Sequence, residues 1–486
     1  MQNTTYDKLF IGGIWTEPTD PSPLEIVSPH DRTVIGRAVQ AQPADIDRAV
    51  AAAREAFDNG PWPQLPPAGR IAVLRRYNEL RESRGEDIAQ IISAENGSAL
   101  WFTRAGQGGL SRQANSYLKA AAEFGWEETL TPSDPSAPFR SVVRRAPVGV
   151  VAAIIPWNSP FSAANAKIIP ALLAGNTVIL KVSPENSLSM NLLAQLMVEA
   201  GLPAGVLSVL AADRETSEHL VRHPGVDKIA FTGSTRAGKR IASLAGEQLK
   251  RVSLELGGKS AAIILDDADL PSAVAGLKFG ALLNNGEACI AQTRILAPRS
   301  RYDEIVAALS EMVSSAKVGD PVDPSTFIGP MVRADQQQRV RDYIDLGVAE
   351  GATLVTGGSQ IPDGLDKGFY VTPTLFSDAD NSMRIAQEEI FGPVLVVIAY
   401  DDEDDAVRIA NDSEYGLSGG VWSASAERAL AVARRLRTGT VTINGAPIGF
   451  DGPFGGFKNS GIGREYGAVG LGQYIEFQTV TQGVTA

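Results

Sequence analysis

The sequence predicts an α/β protein: a Rossmann-like, doubly wound sheet, a second α/β unit after it, and a small β arm. Three observations carry this reading. The runs 148–155, 177–180, 206–210, 228–231 and 252–256 are apolar and β-branched, and helical segments separate them, which is how parallel strands buried on both faces read. The 486 residues are too many for one ordinary core. Strand and helix patterns then alternate a second time beyond Lys259.

Taken in order, residues 8–40 alternate β-like pieces, Leu9-Phe10-Ile11 and then 33–38, with Gly-Gly and Ser-Pro turns. From 43 to about 124 the pattern is helical, with Pro-Ala-Asp and Leu-Pro-Pro-Ala as start signals and Ile71, Leu74, Leu80, Ile88 and Ile91 at helical spacing. Residues 125–145 change character: a Pro-rich stretch precedes strand-like 139–145. It reads as a surface loop or as an arm leaving the domain body, and the strand-like run 474–480 is its candidate partner. The helix after Ser187 stops at Gly201, with Pro203 close behind. The second unit reads as a strand at 260–265, a loop carrying Cys289, helices near 300–316 and 332–350, and strands near 369–375, 394–400, 420–422 and 440–443.

Composition narrows the function classes. Apolar residues make up 44% and charged residues 21%, an ordinary globular balance. A net charge of −12 with no Lys/Arg cluster excludes a nucleic-acid footprint, which needs a basic face. The single cysteine rules out an internal disulfide and suits a reducing compartment. The opening Met1-Gln2-Asn3-Thr4-Thr5-Tyr6-Asp7 has neither a basic nor an apolar segment, and 148–155, the longest apolar run, is too short for a bilayer, so a cytoplasmic protein without membrane contact is expected. The three histidines and the cysteine have no zinc spacing, and no metal is expected.

Ligands of open α/β sheets bind at the carboxyl ends of the strands. Pro156-Trp157-Asn158, Lys181-Val182-Ser183, Thr232-Gly233-Ser234 and Glu255-Leu256-Gly257-Gly258 follow the strands directly, so four polar motifs converge on one sheet edge. Gly233-Ser-Thr-Arg-Ala-Gly238-Lys239-Arg240 nearly spells a phosphate loop, but Arg240 stands where a magnesium-binding hydroxyl is required. It reads as a pyrophosphate site at a helix start, or as a tight turn. Cys289, in Asn284-Asn285-Gly286-Glu287-Ala288-Cys289, is a nucleophile or a buried small hydrophobe. Glu255 is a general base or a solvated strand-end acid, and Asn158 an oxyanion donor or a turn residue.

Together with Pro156-Trp157-Asn158-Ser159-Pro160, Phe231-Thr232-Gly233-Ser234, Glu255-Leu256-Gly257-Gly258-Lys259 and Gly286-Glu287-Ala288-Cys289, the later motifs Glu388-Glu389-Ile390-Phe391-Gly392-Pro393-Val394 and Pro453-Phe454-Gly455-Gly456-Phe457-Lys458 complete a pattern that resembles the aldehyde dehydrogenase superfamily. They run in that family's order over nearly the whole chain. The resemblance implies NAD(P)-dependent oxidation of an aldehyde through a Cys289 thiohemiacetal and thioester, with Glu255 activating the hydrolytic water. It implies that Asn158 and the Cys289 N–H form the oxyanion hole and that Lys167 stands behind the base. Lys181 and Glu389 would hold the riboses, Gly233 and Ser234 the pyrophosphate, and Phe391 the nicotinamide, with Ile154, Pro156, Trp157, Ser183, Leu256 and Gly257 completing the cofactor set.

The same resemblance implies a dinucleotide-binding domain of 1–124 and 146–257, a catalytic domain of 258–470, and an oligomerisation arm of 125–145 and 471–486 in a homodimer or homotetramer. NAD-using relatives resemble Lys-x-x-Glu at the third motif; here Pro184 fills the last place and Glu185 comes one residue late, so NAD is expected with NADP open. Ser159, Ser162, Ala166 and Gly449, with Trp157, Phe161, Phe450 and Phe454, fall near the family's substrate channel and imply a roomy apolar passage for a medium-chain or aromatic aldehyde. The alternatives are an NTP-binding protein and a non-catalytic relative of the fold.

Overall fold

The computed structural model describes residues 4–134 and 136–483. The first three residues of the opening segment, Pro135 in the expected arm and 484–486 at its end lie outside the described residues.

All five apolar runs become parallel strands: Val150–Ile154, Thr177–Val182, Leu207–Ala211, Lys228–Thr232 and Arg251–Glu255. Numbered one to five in that order, they lie 3-2-1-4-5 across the sheet, the doubly wound arrangement. Leu9–Ile11 and Ile14–Thr16 extend one edge antiparallel, and Gly461–Ile462 returns from the far end of the chain to pair with Leu254 and Glu255 on the other. The helical region resolves into Pro43–Asp58, Pro67–Ser83, Gly85–Asn96 and Leu100–Glu123, and Ile71, Leu74, Leu80 and Ile88 are buried.

The second sheet has seven strands in the order Thr353–Thr356, Thr374–Ser377, Val394–Tyr400, Arg294–Pro298, Ala261–Ile264, Gly419–Trp422 and Thr442–Ile443, all parallel except the first. The strand expected at 369–375 starts only at Thr374. Pro373 cannot donate to a ladder, and the backbone ahead of it bonds elsewhere, Phe369 N–H to the Pro29 carbonyl at 3.0 Å. Sequence reading missed Arg294–Pro298 and the helix Leu270–Leu282, the two elements that flank the cysteine loop. The helix does carry a start signal: Asp269 accepts from the Ser272 N–H at 3.1 Å, and Pro271 sits in the first turn.

The Pro-rich excursion is an arm. Glu127–Leu130 and Phe139–Pro147 pair with Ile475–Gly483 in a three-stranded antiparallel sheet, with Phe477 opposite Arg145 and Val480 opposite Val142.

Candidate active site

In a 3-2-1-4-5 sheet the connections leave in opposite directions after the first and fourth strands, which opens a crevice there. Ile154 and Thr232 end those two strands, and Glu255 sits beside Thr232 in register. The second unit delivers its loop to the same crevice.

Between the helix Leu270–Leu282 and Cys289 the backbone turns left-handed at three consecutive residues, with φ of 49° at Asn284, 60° at Asn285 and 74° at Gly286. Asparagine tolerates that region better than other side-chain-bearing residues, and Gly286 must be glycine because a Cβ there would strike the Gly392 carbonyl. Buried amides hold the turn. Asn284 Nδ2 donates to the Asn158 carbonyl at 3.0 Å, Asn285 Nδ2 to the carbonyls of Gly97 at 3.0 Å and Pro330 at 3.1 Å, and Asn158 Nδ2 to the Glu287 carbonyl at 2.8 Å. The bond from Asn158 uses one of its two amide hydrogens.

Glu255 is 4% exposed, and neither of its carboxylate oxygens has a hydrogen-bond partner. The face it shares with Ser253 is therefore not solvated: Ser253 accepts from the buried Lys228 ammonium at 2.6 Å. Burial, reinforced by the nearby Glu465 carboxylate, pushes the Glu255 carboxyl well above the usual range, and Lys167 and Arg464 oppose the shift. Lys167 bears on Glu255 through a residue the sequence did not single out. Its ammonium pairs with Glu465 Oε1 at 2.6 Å and donates to Thr232 Oγ1 at 2.5 Å. Burial and the carboxylates of Glu389 and Glu255 push the Cys289 thiol up to about 12. Burial and these carboxylates thus disfavour the thiolate, the form in which a cysteine is nucleophilic.

The cofactor-side residues gather along the same edge. Ser234 caps the helix Thr235–Gly246, accepting from the Ala237 N–H at 3.3 Å, while Gly233 spends its N–H on the Glu255 carbonyl at 3.0 Å and contributes room rather than a donor. Leu256 packs against Gly238, where a Cβ would collide with it. Lys181 is pushed down to about 8 by burial, against the pull of Glu185 and Asp213, and Ser183 Oγ donates to Glu185 at 2.7 Å. Glu389 accepts from the Gly258 N–H at 3.0 Å, is pushed up to about 7 by burial, and overhangs Gly257 so closely that a side chain there would meet its carboxylate. The Trp157 ring, after Pro156, meets Phe391 edge-on at 5.5 Å, and Phe391 holds φ at 66°, a costly conformation for an aromatic residue. Arg240 is engaged with Glu218 at 2.7 Å, so the phosphate-loop alternative has no hydroxyl for magnesium.

Tyr466 meets Phe450 edge-on at 5.0 Å and Phe454 at a tilt at 5.3 Å, and burial together with the nearby Glu465, Glu255 and Cys289 pushes its phenol up, so it stays neutral. Nothing in the local spelling points to Tyr466. Phe161, expected near this passage, is instead 1% exposed inside the core of the first sheet, because it shares the inward face of the helix Pro160–Leu173 with Ala164 and Ile168. Among the described residues no group of three or more His, Cys, Asp or Glu side chains is placed to hold a metal ion. No helix among them is long and apolar enough to cross a membrane.

A family model described as the aldehyde dehydrogenase family matches residues 15–480. The chain belongs to the aldehyde dehydrogenase family. A geranial dehydrogenase from Castellaniella defragrans is 46% identical over 475 residues, spanning 98% of both chains. The aldehyde dehydrogenase of Mycobacterium tuberculosis, solved with NAD+, is 47% identical with a TM-score of 0.96, covering 99% of this chain and 98% of that one. A mutant of aldehyde dehydrogenase C from Pseudomonas syringae, solved with NAD+ and octanal, is 41% identical with a TM-score of 0.93, covering 98% and 96%. Membership gives this dehydrogenase its activity class, NAD(P)-dependent oxidation of an aldehyde. The edge just described suits that cofactor: a capped helix start, a buried lysine and a glycine-floored cradle.

Proposed function

We propose that Cys289 is the nucleophile of this oxidation and Glu255 its base, with Asn158 and the Cys289 N–H as oxyanion donors. The observation that carries the assignment is the pair of unpartnered Glu255 oxygens, buried within electrostatic reach of the thiol. Glu255 takes the Sγ proton and the sulfur adds to the aldehyde carbon, while the remaining Asn158 amide hydrogen meets the new oxyanion. Lys181, Ser234 and Glu389 would hold NAD(P) along the edge, where it would supply the hydride acceptor needed to turn the adduct into a thioester on Cys289. Once Glu255 has passed the thiol proton on to solvent it accepts a proton from water, the water oxygen bonds to the acyl carbon, the C–S bond breaks to return the thiolate, and the carboxylic acid departs. Lys167 holds Glu465 beside the base and so sets its basicity. Cys289→Ala is expected to abolish aldehyde oxidation, and Glu255→Gln to stall before the thioester or to retain an acyl-enzyme visible as a mass increase on Cys289. Normal turnover by either variant removes that residue from its role.

We infer a medium-chain or aromatic aldehyde as substrate. Ser159, Ser162 and Gly449 are small, a Cβ at Gly449 would meet nothing within 4 Å, and Phe450, Phe454 and Tyr466 supply an apolar wall. The geranial dehydrogenase and the octanal complex among the relatives favour the same class. A panel of aldehydes in which acetaldehyde alone is oxidised efficiently would end this reading. The division into 1–124 with 146–257, 258–470, and an arm of 125–145 with 471–486 fits the sheets, the strand Gly461–Ile462 crossing back to the first. The arm exposes Leu130, Phe139, Phe477 and Val480, apolar surface that suits a second copy in a homodimer or homotetramer. Light scattering that returns a monomer at micromolar concentration refutes it. The lone cysteine and acidic composition favour the cytoplasm.

A further inference from the structure

The carboxyl end of the second strand of a doubly wound sheet is where a dinucleotide's adenosine ribose is read: an acid there accepts from the ribose hydroxyls of NAD, and an arginine accommodates the 2′-phosphate of NADP. This chain brings both to that corner and joins them to each other. Glu185 follows the strand Thr177–Val182, within the electrostatic reach of Lys181. Its two oxygens are held separately, Oε2 by Ser183 Oγ at 2.7 Å and Oε1 by Arg333 Nη1 at 2.9 Å.

Arg333 comes from the second α/β unit, where it precedes the helix Ala334–Ala349. Its Nε is bonded to Asp335 at 2.6 Å, and its guanidinium lies over the Trp157 ring at 5.8 Å from the centroid. Trp157 in turn rests on Phe391. An arginine engaged on two edges and one face is not free to receive a phosphate; it is built as a clamp on a carboxylate. Glu185 itself is no surface acid free to swing, since its side chain is only 24% exposed.

We propose that Arg333 is a positioning residue that fixes Glu185 at the ribose corner and thereby makes this enzyme select NAD over NADP. The proposal rests on the cofactor edge assigned above and deepens it. With the clamp closed, a 2′-phosphate would approach a fixed negative charge beside the Lys181 ammonium. Without Arg333, Glu185 can turn away and leave Lys181 and Ser183 to a dianion, and without the Glu185 charge Arg333 itself is released toward it.

The test is fluorescence titration of the wild-type enzyme with NADH and NADPH, which reads binding without turnover, alongside kcat/KM for NAD and NADP. Wild type is expected to prefer the nucleotide without the 2′-phosphate by on the order of 100-fold, as like-charge juxtaposition predicts. Glu185→Gln should collapse the ratio of dissociation constants to less than about 10-fold, chiefly by tightening NADPH. Arg333→Gln should lower the ratio in the same direction, and Arg333→Lys should restore part of it. A general loss of structure would weaken both nucleotides together and leave the ratio unmoved. An unchanged ratio in both Glu185→Gln and Arg333→Gln overturns the proposal while NADH binding keeps the cofactor edge intact. If neither nucleotide binds the wild type, the edge assignment and the proposal fall together.

Discussion

Gly258→Ala tests the cysteine loop's position without touching a reacting atom. An ideal Cβ on Gly258 would overlap the carbonyl oxygen of Cys289, well inside the ~3.5 Å of ordinary contact, so something must move by about 1 Å. Neither side can yield cheaply. The obstacle is backbone, Leu417 Cβ stands 3.4 Å away on the other side, and the Gly258 N–H is tied to Glu389 at 3.0 Å. Gly258 does not adopt a positive φ, so alanine brings no backbone strain of its own. Overpacking of this kind costs roughly 1–3 kcal/mol of stability. A displacement of about 1 Å at a nucleophile costs on the order of 100-fold in rate. The expected result is a folded enzyme with kcat/KM for aldehyde down about 100-fold and slower alkylation of Cys289 by iodoacetamide. Gly246→Ala, whose Cβ meets nothing within 4 Å, is the control expected to behave as wild type. If Gly258→Ala oxidises aldehyde within about threefold of wild type, the loop is not held where the contact says it is.

Two further outcomes follow from the buried charges. Glu255 must be ionised to take the thiol proton, and burial and Glu465 raise its pKa, so kcat/KM should climb with pH along a limb displaced well above the usual carboxylate range. Glu465→Gln removes the repelling charge and should move that limb to lower pH; a shift to higher pH in the rate profile contradicts the arrangement. Lys167→Met leaves Glu465, whose side chain is 9% exposed, without its ion-pair partner, which should cost about 3–5 kcal/mol in a denaturation experiment, most of it recovered in Lys167→Met/Glu465→Gln. Equal losses in the single and double variants would mean the pair is not coupled.

The first sheet was legible because each of its parallel strands is an uninterrupted apolar run, and the motifs sit directly after them, where a doubly wound sheet exposes its ligands. The arm was legible for a similar reason: a Pro-rich break and two strand-like runs have nowhere else to pair. The second sheet was read less well around Cys289. Arg294–Pro298 is five residues long and ends in proline, so its pattern is too short to separate from the loop before it. The strand expected at 369–375 looked continuous because hydropathy does not register that Pro373 lacks a donor.

What spelling could not supply is the environment of the base. Glu255 and Lys167 are separated by the strands Thr177–Val182, Leu207–Ala211 and Lys228–Thr232 and the helices between them, and each could be guessed singly. The group that joins them, Glu465, lies 298 positions from Lys167 and reaches it only because the tail folds back, adding Gly461–Ile462 to the sheet edge at Glu255. Gly461 makes that approach possible, since a Cβ there would run into the Leu254 carbonyl, and Gly455 does the same against Glu255 itself. The return also carries Tyr466, at φ 67°, into the aromatic wall beside the thiol. One late segment therefore buries Glu255, places a second carboxylate near it and sets Tyr466 against Phe450 and Phe454. Desolvation and like-charge repulsion, the two largest causes of the raised Glu255 pKa, both depend on that closure. The basicity of Glu255 is thus a property of the tail's docking as much as of the strand that bears it. A substitution that lifts the tail, such as Gly461→Ala, should lower the Glu255 pKa and weaken it as a base before the sheet itself unfolds.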